Sequence, residues 1–132
     1  MRQLSQAQVQ AKTPDYYTEV ATHEHTFVVD EPVSAGGQDA GPGPYDYLLV
    51  SLGACTSITL RMYAARKGWA LTDLKVGLQL LKDEEGKTHI KRQLHTSAPL
   101  DDDQWQRLLD IAGKTPVTRT LIQGVTITTE RV

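Results

Sequence analysis

The chain has 132 residues, 39% hydrophobic and 23% charged, with 14 Lys and Arg against 16 Asp and Glu for a formal net charge of −2. This is the size and composition of one ordinary domain, so a single domain is expected over residues 1–132. The slight acidity lacks the basic footprint of a nucleic-acid binder, and Met1-Arg2-Gln3-Leu4-Ser5-Gln6 shows no apolar signal core. The longest uncharged apolar run, Tyr47–Leu60, is interrupted by Ser51, Gly53, Thr56, Ser57 and Thr59 and falls short of the ~20 residues of a membrane span. It reads as a buried core helix. The one cysteine, Cys55, has no intramolecular disulfide partner, which fits a cytoplasmic setting.

Gln3–Ala11 and Tyr16–Val29 carry strand-like patterns, separated by a turn at Pro14-Asp15, with a second turn expected near His23–His25. Asp30-Glu31-Pro32 stops the second pattern, and Val33–Pro44 is rich enough in Gly and Pro to predict a loop with no regular element. Pro44 suits the first turn of a helix, which should run to Lys67 and end at Gly68, with Asp46 at its positive end and Arg61, Arg66 and Lys67 at its negative end. No charged residue lies between Asp46 and Arg61, so this helix has to be covered nearly all round. A domain of this size covers one side with its own sheet, and a second subunit is the economical source of the rest.

Leu74, Val76, Leu78 and Leu80 alternate as in a half-buried strand, Asp83–Gly86 makes a turn, and Thr88, Ile90 and Leu94 mark the returning strand. Asp101 with Gln104 fits a capping box opening a helix whose buried stripe is Trp105, Leu108, Leu109 and Ala112. Thr115-Pro116 predicts a short turn of helix up to Ile122, and Val125–Thr129 a last strand. This mixed order argues for an α+β fold.

Cys55 is the first candidate for chemistry. Its bland reading is a small buried hydrophobe; a reactive thiol needs a cation or a helix N-terminus beside it. Eleven residues into its helix, Cys55 gains nothing from that helix's own positive end. The loop Gly36–Pro44 fits no phosphate-binding pattern and reads first as a tight connection. His23 and His25 would share a strand face, but no third metal ligand accompanies them. No metal and no cofactor are expected.

Asp30-Glu31-Pro32, Gly36-Gly37, Gly41-Pro42-x-Pro44-Tyr45-Asp46-Tyr47-Leu48-Leu49, Leu52-Gly53-Ala54-Cys55-Thr56, Leu60-Arg61-Met62-Tyr63-Ala64 and Lys114-x-Pro116-Val117-x-Arg119-Thr120-Leu121 together resemble the OsmC/Ohr family. The likeness runs over about residues 27 to 129, and its most specific part is Gly-Pro-x-Pro with a cysteine eleven residues after the second proline. The resemblance implies an OsmC-like fold, antiparallel sheets around a long central buried helix, in an intertwined homodimer. It also implies a peroxidase whose helix cysteine, matched by Cys55, attacks a hydroperoxide and becomes sulfenic acid, and a second cysteine that resolves it.

Three positions depart from that pattern. The resolving-cysteine position is Thr115, Thr118 stands where relatives often carry histidine, and no arginine lies between Arg2 and Arg61 to match the activating arginine of an early strand. Asp46 matches the carboxylate near the helix start, although nine residues at ~100° each put it on the far helix face from Cys55, ~13 Å along the axis. The resemblance therefore implies Cys55 and Asp46 as catalytic positions, with Asp46 either reaching Cys55 across a dimer or simply serving the helix dipole, and Tyr45, Thr115 and Arg119 as binding positions; whether a cation such as Lys12 or Arg119 replaces the missing arginine is left open by the sequence. Two functions follow as expectations. One is reduction of small organic hydroperoxides through Cys55 in a one-cysteine cycle, with an external thiol as reductant. The other is a non-catalytic module that binds an apolar small molecule.

Overall fold

The computed structural model describes residues 1–132, which form two compact units, Met1–Leu48 and Leu49–Val132. The fold is α+β: two small antiparallel sheets and three α-helices.

In the first unit, β1 (Gln8–Ala11), β2 (Thr18–Thr22) and β3 (His25–Val29) form a sheet in the order β1-β2-β3. β2 is the middle strand, with Val20 opposite both Val9 and Phe27. Regular structure starts only at Gln8, five residues later than the strand pattern suggested, because β1 pairs only from Gln8↔Ala21 to Ala11↔Thr18. His23 occupies the β2–β3 turn with φ 53°, while His25 begins β3. The two histidines therefore do not share a strand face.

The segment after β3 is organised by one carboxylate. Asp30 is 1% exposed, and its oxygens accept the backbone N–H groups of Glu31 (2.8 Å), Gln38 (3.1 Å) and Ala40 (3.1 Å). The chain wraps so closely here that a Cβ at Gly37 would lie 2.0 Å from the Glu31 carbonyl oxygen, and one at Gly41 2.5 Å from that of Val28. These two glycines are required by close backbone approach. Within the segment Val33–Ala35 forms a single 3-10 turn, closed by Gly36 with φ 92°, where the composition had suggested no regular element. Tyr47 anchors the following helix start by donating its hydroxyl to the Val28 carbonyl (2.8 Å) and tilting its ring against Phe27.

α1 runs from Pro44 to Lys67, as the sequence predicts, and ends at Gly68 with φ 72°. Asp46 accepts the N–H of Gly43 at 2.9 Å, closing the helix entry.

In the second unit, β4 (Lys75–Lys82) and β5 (Thr88–His95) form the expected hairpin, with Leu78 opposite Arg92 and Leu80 opposite Ile90. α1 lies close on β4 because Gly53 has no side chain: a Cβ there would meet Leu78 Cδ1 at 2.7 Å. The buried face of α1 is Leu52, Gly53, Thr56, Leu60 and Ala64. On the opposite side, Val50, Ala54, Ile58 and Met62 follow one another at i+4 and stay exposed. The single chain thus covers only one side of its uncharged helix.

α2 (Asp102–Ala112) opens on the expected capping box between Asp101 and Gln104. Its inner face is Leu108 and Ala112, which join Leu60 in a core packed by Tyr63, Trp69, Leu71, Leu74, Leu94, Leu100 and Ile111. Leu109, assigned to the buried stripe by spacing, is 52% exposed; Ile111 takes its place on the inner face. α3 (Pro116–Gln123) is two full turns, longer than the short turn expected, with Thr115 as N-cap. Val125–Thr129 pairs with no strand: its β pattern has no ladder partner within the chain, and Val125 and Ile127 remain exposed.

Burial alone would raise the Asp30 pKa, but the N–H groups of Ala40, Glu31 and Gln38 outweigh it and hold the carboxyl below its ordinary value. A depressed folded-state value means that the carboxylate's contribution to stability is complete above the unfolded value, about pH 4, and is lost as pH falls through the lower folded value. Hydrogen exchange on the Gln38 and Ala40 amides will therefore show protection that persists at neutral pH and collapses below about pH 4. Asp30→Asn will expose both amides at every pH.

Candidate functional site

Cys55 lies on the flank of α1 between its buried and uncovered faces and is partly exposed. Ser51 and Thr59, one turn to either side, share that flank. The adjacent residue, Thr56, is fully buried; its hydroxyl donates to the Leu52 carbonyl (2.7 Å) and accepts from Nη1 of Arg92 (2.9 Å).

Arg92 is the residue the strand alternation passes over. Ile90, Arg92 and Leu94 are the half-buried positions of β5, while His89, Lys91, Gln93 and His95 are exposed. A cation at an inward position of an otherwise apolar row is the sequence signal that marks it. Its guanidinium spans three helices. Nη1 donates to Thr56 Oγ1 of α1 and to Thr118 Oγ1 of α3, both at 2.9 Å, and Nη2 donates to the carbonyl of Ala112, the last residue of α2, at 2.8 Å. Three of its five N–H donors are thereby used.

The acceptors are themselves held. Thr115 and Thr118 place their hydroxyl oxygens 2.6 Å apart, Thr118 Oγ1 reaches the Ala112 carbonyl at 3.2 Å, and Thr115 accepts the Thr118 N–H as the α3 cap. Every contact is neutral. The chain's ion pairs are Lys12 with Glu19 and His89 with Asp83, so no carboxylate pairs with Arg92. Burial lowers the Arg92 pKa from its ordinary value, and the negative form of Cys55 acts in the opposite direction, favouring the charged guanidinium. A guanidinium remains protonated in proteins despite such a shift.

The structure thus links Thr115, through Thr118, to Arg92, and places Cys55 next in sequence to Thr56, one of the acceptors of Arg92. Lys12 pairs with Glu19 in the first unit at 3.9 Å, and Arg119 is exposed on α3. Asp46 is engaged at the helix entry and Tyr45 is exposed. Thr115 is fully buried as a cap rather than open to a ligand.

The family model of the OsmC-like protein matches residues 36–130. Among solved structures, the chain is similar to an OsmC-like protein from Mycoplasma pneumoniae (20% identity, 95% of this chain and 91% of that one, TM-score 0.77). It is also similar to an organic hydroperoxide resistance protein OsmC from Legionella pneumophila (17%, 90% and 89%, TM-score 0.66) and to the organic hydroperoxide resistance protein OhrB of Bacillus subtilis (22%, 87% and 89%, TM-score 0.59). No curated protein matches the sequence. At these identities the structural likeness establishes the fold.

Thr115→Val removes both the α3 cap and the hydroxyl beside Thr118. It is expected to lower stability by about 1–2 kcal/mol in urea denaturation, whereas Thr115→Ser retains most of the parent value.

Proposed function

The chain belongs to the OsmC-like protein family, and from that premise we propose that it reduces organic hydroperoxides through Cys55 in a one-cysteine cycle. The observation that carries this reading is the partly exposed sulfur of Cys55, one residue from Thr56, whose hydroxyl accepts from a half-buried guanidinium that has no carboxylate partner. A thiolate is the nucleophile, and a neighbouring cation favours it. Two solved structures of similar fold are of organic hydroperoxide resistance proteins, which supports the same chemistry here.

In the proposed cycle the Cys55 thiolate attacks one peroxide oxygen. The S–O bond forms as the O–O bond breaks, sulfur is oxidised to sulfenic acid, and the departing alkoxide takes a proton to become the alcohol. Thr115 offers no thiol to condense with the sulfenic acid. An external thiol displaces water to form a mixed disulfide, and a second thiol releases Cys55 with formation of the external disulfide. Ile58 lies one turn from Cys55 on the uncovered side of α1 and gives the approach an apolar border suited to an organic peroxide.

The working form in this proposal is a homodimer. The exposed row Val50, Ala54, Ile58 and Met62 and the unpaired Val125–Thr129 segment both support it, because each is an apolar pattern whose covering partner is absent from the single chain.

Stopped-flow mixing of the reduced protein with cumene hydroperoxide tests the reading. Free cysteine is only a few per cent thiolate at pH 7, and Cys55 is expected to react at least ~10-fold faster, with all fast consumption lost in Cys55→Ser. A Cys55 rate no greater than that of free cysteine would leave the non-catalytic module that binds an apolar molecule as the reading.

A further inference from the structure

We propose that the Nε edge of the Arg92 guanidinium is a binding site for a small monocarboxylate with an apolar body, held by two parallel N–H groups that the protein leaves free. The site goes beyond the hydroperoxide reading and does not depend on it.

The free edge follows from where the other donors go. Nη1 spends both of its hydrogens, on Thr56 Oγ1 and Thr118 Oγ1, each at 2.9 Å. Nη2 spends one, on the Ala112 carbonyl at 2.8 Å. Thr118 Oγ1 and the Ala112 oxygen lie 3.2 Å apart, so together they occupy the end of the fork, where one hydrogen of each Nη points outward side by side. The hydrogen left on Nη2, the nitrogen trans to Cδ, is therefore the one that runs parallel to Nε–H. These two form the side-on fork, whose spacing matches the two oxygens of a carboxylate.

Nothing in the chain fills that fork. All three bonds of the guanidinium leave from Nη1 and Nη2. No side-chain nitrogen or oxygen is buried without a partner, so the unpaired Nε–H opens to solvent. The two ion pairs, Lys12 with Glu19 and His89 with Asp83, bring no carboxylate to it.

The surroundings select the ligand. Arg92 stands between Ile90 and Leu94 on the inward row of β5, with Leu78 opposite on β4. The inward row of β4 is Val76, Leu78 and Leu80, so the two rows hold no second cation. One positive charge among aliphatic side chains matches one negative charge on an apolar body better than a multiply charged anion. The three existing bonds hold the guanidinium plane before a ligand arrives, so binding need not order the side chain. A bound anion would also offset the cost of keeping that charge partly out of water.

Nuclear magnetic resonance of the ¹⁵N-labelled parent protein at mildly acidic pH reads the site through the Arg92 Nε–H cross-peak, assigned by through-bond correlation. Benzoate, titrated at constant ionic strength, is expected to shift that peak to saturation. Benzamide, its neutral counterpart, should bind at least ~5-fold more weakly, and chloride at the same concentration should leave the peak in place. A cross-peak that benzoate does not move, or that benzamide or chloride moves equally, overturns the proposal. The measurement needs no variant to fold. A protein that binds benzoate in this way but ignores cumene hydroperoxide keeps the carboxylate site and loses the peroxidase reading.

Discussion

A guanidinium held half out of water with no acid beside it is the constraint on which the second unit turns. Arg92 has to find neutral acceptors in fixed places, and it finds them on three different helices: Thr56 on α1, Ala112 at the end of α2 and Thr118 on α3. Each acceptor depends on a local device. Gly53 lets α1 approach β4 closely. The capping box starts α2 at a defined residue and so sets where its last carbonyl falls. Thr115 starts α3, which positions Thr118 one turn later. The cluster contains no buried side-chain polar atom lacking a partner, as expected for a polar network inside a small core.

The first unit uses a charge of opposite sign in a comparable way. Asp30 gathers three backbone N–H groups from its own neighbour and from the glycine-rich segment, turning a stretch without side-chain cover into a fixed connection. Its oxygens have their partners already, so the carboxylate is structural. The two charges differ in what they leave over. Asp30 is satisfied by the backbone it organises, whereas Arg92 is held by neutral oxygens that leave its positive charge uncancelled.

Much of this was legible in the sequence where local rules act alone. Pro44 and Gly68 bracket α1, Asp101 with Gln104 and Thr115 with Pro116 announce α2 and α3, and the Leu78-to-Ile90 alternation gives the hairpin. The misses occur where a partner decides the outcome. Val125–Thr129 has β composition, but a strand exists only through its ladder. Leu109 meets the helical spacing of the buried stripe, yet the packing of α2 selects Ile111. Arg92 takes an inward register position of a hairpin whose pattern is legible through its apolar residues, so the alternation alone does not single it out. The role of Thr115 and Thr118 as oxygens for that arginine depends on three helix ends meeting, which no single-segment pattern records.

Family membership supplies the likeness to OsmC-like proteins, and the proposed one-cysteine cycle is what would let a chain without a resolving thiol keep its first cysteine. The most direct test is intact-protein mass spectrometry after reduced protein meets one equivalent of cumene hydroperoxide. The account predicts that one oxygen atom is gained, located at Cys55 and removed by added thiol, with one equivalent of alcohol released. A protein of unchanged mass beside unconsumed hydroperoxide would contradict it.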